Sequence, residues 1–136
     1  MIERSESRDK IDTALSSFQR KAPQVIKEKL EKYGSLILNS IEDVRKIIKP
    51  LLREKGLVVY QVPHVFDDKI EIENILVHKS GQWVRSTIET PLYITREMDR
   101  LTEISKSIIY ASVLGLSDCL GLSRRELGLV PQEFLK

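Results

Sequence analysis

The sequence predicts an α+β domain: a three-stranded antiparallel meander packed by flanking helices. Two observations carry this. Between Gly56 and Pro91, three runs rich in β-branched and aromatic residues alternate apolar with polar positions, separated by short polar turns. On either side, apolar residues recur at helical spacing. A three-stranded sheet with one apolar face does not stand alone in water and needs helices to cover that face.

In chain order, residues 1–9 read as a flexible amino terminus, and residues 10–136 as a single domain. Ile11, Leu15 and Phe18 mark a first helix, and Pro23 is expected to end it by removing an amide. Val25, Ile26, Leu30 and Tyr33 mark a second helical piece closed by Gly34. Leu36-Ile-Leu38 is apolar and short, either extended or a buried connection. Ser40 is a suitable N-cap for the next helix, with Glu42 and Asp43 in its positive first turn. Ile41, Val44, Ile48 and Leu51 or Leu52 line its apolar face; Pro50 should bend it and Gly56 stop it.

The strands follow: Leu57–Val62 with Val65-Phe66, then Ile70–Val77, then Trp83–Thr90. Asp67-Asp68-Lys69 and Lys79-Ser-Gly-Gln82 are the turns. A long helix is expected from Thr95, burying Met98, Leu101, Ile104, Ile108 and Ala111. Ser107, Ala111 and Gly115 would let a neighbouring backbone approach, from the sheet or from another subunit. Ser123-Arg-Arg-Glu126 reads as a capping box opening a one-turn helix that Gly128 ends.

A net charge of +2 excludes a strongly basic, histone-like protein. The charge is uneven: residues 1–56 carry thirteen Lys/Arg against nine Asp/Glu, and residues 57–78 carry one against four, so the first hairpin is acidic. A lone Cys119 among apolar neighbours reads as a core residue in a reducing, intracellular setting. The charged start is not a signal peptide, and no run approaches membrane-spanning length, so no membrane partner is expected.

No phosphate-binding glycine loop, zinc-protease motif or paired-cysteine spacing occurs. His64, His78 and a distant Cys119 make a poor metal set, and Asp67-Asp68 is ordinary turn chemistry. No enzyme, catalytic residue, metal or cofactor is therefore expected. The remaining chemistry concerns polyanions. Lys79 and Arg85 flank the second turn beside Trp83, and a cation next to an exposed ring is what single-stranded nucleic acid uses. Arg96, Arg100 and Lys106, with Arg124-Arg125, could extend a basic track. The competing reading packs Trp83 across the hairpin and pairs Arg100 with Glu103 on a solvated face.

The order of motifs adds a resemblance. Lys32-Tyr33-Gly34 precedes a helix ending Pro50-Leu-Leu-Arg-Glu-Lys-Gly-Leu57. Then come a strand, Leu76-Val-His-Lys-Ser-Gly-Gln-Trp83, and a helix with Ile108-Ile-Tyr-Ala111 and, ten residues on, Gly121-Leu122. Over residues 10–122 this resembles the Erf family of phage and viral single-strand annealing proteins, whose hairpin reads "Leu-x-His-x-Ser-Gly-x-Trp". The chain departs from the family where a helix reading "Thr-Tyr-Ala-Arg-Arg-Tyr" is met by Ser112, Val113 and Leu114.

The resemblance implies binding of single-stranded DNA and ATP-independent annealing of complementary strands in recombination. It also implies a homo-oligomeric ring or filament, working in the host cytoplasm if viral. The DNA contacts expected on this reading are Lys79, Trp83, Arg85, Arg96, Arg100, Lys106, Arg124 and Arg125. Two alternatives remain: a protein-interaction or assembly subunit of the same fold without DNA binding, and a small metal-dependent nuclease using Asp67, Asp68, Glu71 and His78.

Overall fold

The computed structural model describes residues 2–33, 41–92 and 99–129. Its elements are β1 (Ile2–Arg4), α1 (Asp9–Tyr33), α2 (Ile41–Glu54), β2 (Leu57–Val65), β3 (Lys69–His78), β4 (Trp83–Pro91) and α3 (Arg100–Leu120). The strands form one antiparallel sheet in the order β1-β4-β3-β2. The class is α+β and the meander lies where the alternation put it. Among the described residues, however, the sheet has four strands rather than three. Residues 2–4, read as part of a flexible terminus, pair with β4 in the register Ile2↔Ser86, Glu3↔Arg85 and Arg4↔Val84.

The three described helices cover one face of the sheet. On β3 the residues pointing to that face are Ile70, Ile72, Asn74, Leu76 and His78, every one buried, while the intervening residues are half-buried. Leu57 and Leu76 join Ile11, Phe18, Ala22 and Ile26 of α1, Val44, Ile48 and Leu52 of α2, and Leu116 and Leu120 of α3 in the main core. A smaller cluster of Ile70, Ile72, Leu92 and Ala111 lies under the first half of α3.

Pro23 does not end the first helix. The apolar row Ile11, Phe18, Ala22 and Ile26 is buried on both sides of it, and α1 runs unbroken to Tyr33. An internal proline costs about 3 kcal/mol. Burial of side chains the size of Phe18 and Ile26, at about 1.5–3 kcal/mol each, outweighs that. Pro50 likewise sits inside a single helix, as expected, and Gly56 turns the chain at φ +72°.

Asp99 is extended (φ −71°, ψ 161°) and caps α3 by accepting the N–H of Thr102 at 2.7 Å, so the helix begins at Arg100 and not at Thr95. That start leaves Leu101, expected in the core, 74 % exposed. Ser123 and Glu126 form the reciprocal capping box at 3.0 Å each, but the chain there makes turns instead of a one-turn helix. The expectations for Leu36–Leu38, the Ser40 cap and Met98 fall outside the described residues.

Candidate nucleic-acid interface

The hairpin motif His78–Trp83 is mostly structural. The backbone N–H of Ser80 donates to His78 Nδ1 at 3.2 Å, the Ser80 hydroxyl lies 2.8 Å from the same nitrogen, and Gln82 N–H donates to Ser80 Oγ at 3.3 Å. Gly81 takes φ +93°, open to glycine without strain. Gln82 then reaches out of the turn to the start of α1, where its Oε1 accepts from the backbone N–H of Lys10 and of Ile11, both at 2.9 Å. Trp83 is half-buried, its backbone N–H tied to Ser5 Oγ at 3.0 Å.

The expected cations are not gathered on one surface. Lys79 is exposed at the turn, its aliphatic stem lying over Gly56, where an added Cβ would come within 2.8 Å of it. Arg85 and Trp83 belong to the sheet face opposite the helices, where Arg85 is 3.3 Å from Glu73 and 3.7 Å from Glu3. Arg100 and Lys106 are on α3, on the other side of the sheet; Arg100 is 3.9 Å from Asp67. Arg124 and Arg125 are exposed in the turns beyond α3, and Arg96 falls outside the described residues. The helix-free face also carries Glu71, Glu73 and Glu89 and Glu3 against Lys69, Arg85 and His64. Such a face repels a phosphate backbone near Trp83.

The nuclease residues do not come together either. Asp68 precedes the first residue of β3 and His78 is its last. Ten residues of strand separate them by about 33 Å.

A different basic surface emerges on α2. Arg45, Lys49 and Arg53, at i, i+4 and i+8, line a cleft of about 330 Å³ between α2 and the edge strand β2, with Ile48, Leu52, Leu57 and Val59 as its apolar floor. Successive members of such a row are about 6 Å apart along a helix axis. Lys49 and Arg53 have no ion-pair partner among the described residues, and the nearby Glu54 is taken by Lys21 at 2.7 Å. The sequence carried this signal: after Asp43, residues 44–53 hold four cations and no carboxylate.

Arg45 is anchored rather than free. Its Nη2 donates to Gln61 Oε1 at 2.6 Å, and partial burial lowers its pKa from the usual arginine value. Gln61 Nε2 in turn donates to Asn74 Oδ1 and to the Ser112 carbonyl, both at 2.9 Å. This partly buried chain of bonds ties α2, β2, β3 and α3 together. Ser112, at a position where the annealing-protein pattern has arginine, is a buried residue of α3, 5 % exposed. Gly115 lets α3 approach the same Asn74, so the row of small residues serves packing on the sheet.

No described helix is long and apolar enough to cross a membrane. Comparison of the chain with protein-family models, with curated proteins and with solved structures returns no match.

Proposed function

We propose that this chain binds single-stranded DNA and pairs complementary strands without ATP, as an assembly of several copies. The resemblance of the hairpin and its flanking helices to annealing proteins suggests the reading. The observation that supports it is the cation pair Lys49 and Arg53, without an ion-pair partner among the described residues, with Arg45 behind it, beside the α2–β2 cleft. Its spacing of about 6 Å suits successive phosphates of an extended strand, since phosphate neutralisation positions a strand without reading its sequence. One protomer at net charge +2 offers few contacts, and repetition around an assembly multiplies them. Annealing of two complementary oligonucleotides, followed by fluorescence, tests it. Wild type should accelerate pairing and Lys49→Glu/Arg53→Glu should not; no acceleration by wild type would overturn the reading.

A second reading, an assembly subunit without DNA binding, draws on the helix-free face. Val58, Tyr60 and Val62 are 48 %, 55 % and 40 % exposed there, rimmed by carboxylates. Apolar residues in such a setting suit a protein partner better than a phosphate backbone. Binding to single-stranded DNA that is absent at every salt concentration would favour it.

A further inference from the structure

We infer that copies of this chain join edge to edge, β1 of one protomer adding to β2 of the next, so that one antiparallel sheet continues across subunits. The inference rests on the multi-copy reading above and specifies its contact.

Among the described residues, both outer strands have a partner on one side only. In an antiparallel ladder, residues alternate between bonding inward and pointing their backbone groups outward. Phe66 N–H bonds to Lys69 and Lys79 N–H to Gly56, so even-numbered residues of β2 bond toward β3, and Leu57, Val59 and Gln61 point outward. Ser5 N–H bonds to Trp83, so odd-numbered residues of β1 bond toward β4, and Ile2 and Arg4 point outward.

Three independent conditions for joining the edges are then met. The strands alternate in direction across the four-stranded order, so β1 of one copy meets β2 of the next antiparallel. The outward-pointing residues on both edges have side chains on the helix-covered face, so pairing them keeps every copy's helices on the same side. Finally, the register runs level across the sheet, Ile2–Ser86–Asn74–Gln61 and Arg4–Val84–Leu76–Val59, so the two edges lie at the same height.

The surfaces fit as well. In that register Ile2, 69 % exposed on β1, lies opposite the neighbour's Gln61 and Arg4 lies opposite its Val59, both of which line the cleft floored by Ile48 and Leu52. Pro63 sits at an outward position of β2, where it breaks no ladder bond of its own chain but offers no donor. It confines the contact to the residues before it, where Val59–Gln61 matches a β1 of three residues. The contact is head-to-tail, which generates a ring where the rotation closes and a filament where it does not. Each copy's Arg45–Lys49–Arg53 row then repeats on one side of the assembly.

The test is a cysteine pair, Glu3→Cys with Tyr60→Cys, in a Cys119→Ala background. Within one chain these positions lie on opposite outer strands, three strand spacings or about 14 Å apart, beyond disulfide reach. In the joined sheet they face each other as a non-hydrogen-bonded pair with Cα atoms about 4.5 Å apart. Oxidation should give a ladder of multiples of 15.7 kDa on a non-reducing gel, and each single variant no more than a dimer. As a second variant, Arg4→Pro removes an outward donor without breaking a bond to β4; it should keep the wild-type circular dichroism and sediment at 15.7 kDa. Wild type that sediments as one protomer, an Arg4→Pro protein that still assembles, or absence of the ladder would each overturn the inference. Single-stranded DNA binding, measured on wild type and on Arg4→Pro, is read separately. A ladder without DNA binding leaves the edge contact standing and removes the annealing function; DNA binding without a ladder does the reverse.

Discussion

Gln82 caps the helix that carries Ile11. Its side-chain oxygen accepts the Ile11 backbone N–H at 2.9 Å, 71 residues away in sequence, while its amide donates to Asp9 at 2.8 Å. That bond to Asp9 is also the main reason the Asp9 carboxyl titrates below its ordinary value. The second hairpin turn thus serves as the N-cap of α1. Gln82→Ala should destabilise the fold by about 1 kcal/mol, the usual cost of losing a cap. Urea denaturation measures it; an unchanged midpoint would show that water replaces the cap at no cost.

Gly115→Ala should be costly. An added Cβ would lie 2.5 Å from Asn74 Oδ1, and Asn74 is fully buried and held by Gln61. The expected loss is about 1–3 kcal/mol, in the range for overpacking. Asn74→Ser in the same background should restore part of it, because the shorter side chain clears the space.

Cys119 is partly buried, and burial pushes its thiol up to about 12, with Asp118 adding to the rise. A thiol reagent at neutral pH should therefore modify it at least tenfold faster after unfolding than before. The folded pKa lies above the unfolded one, so this group's stabilising contribution is complete below about pH 9 and is lost as pH climbs toward 12. Cys119→Ala should flatten that part of the stability profile relative to wild type, measured by urea midpoints between pH 8 and about 11.

At acid pH the sign reverses. Backbone N–H donation from Thr102 holds the Asp99 carboxyl below its ordinary 3.8. Its contribution is present above that value and is lost as pH falls through the depressed one. Asp99→Asn keeps a capping oxygen that does not titrate, so the variant should lose less stability than wild type on going below pH 4. A parallel acid titration by circular dichroism decides it.

The DNA proposal makes a quantitative demand on the α2 row. Lys49→Glu/Arg53→Glu should weaken single-stranded DNA binding at least tenfold at moderate salt. It should also lower the slope of log affinity against log salt by about 1.4, two phosphate contacts at about 0.7 each. Lys79→Glu/Arg85→Glu should change it less, because Arg85 is already held by Glu73 and Glu3. The opposite ranking would return the contact to the hairpin.

What the residues alone determined was local. Period-two alternation placed β2, β3 and β4, and Gly56 and Gly81 marked the turns, because strand faces and left-handed φ are properties of a few consecutive residues. Tertiary packing decided the rest. It carried α1 through Pro23, since buried Phe18, Ala22 and Ile26 outweigh one lost bond. It added Ile2–Arg4 to the sheet, since three residues form a strand only against a ready β4 edge. It also sent Arg85 and Arg100 to opposite sides of one sheet while aligning Arg45, Lys49 and Arg53 along a cleft. A charge's place in the sequence fixes its helix or strand face. Which surface that face joins depends on contacts between residues far apart in the chain.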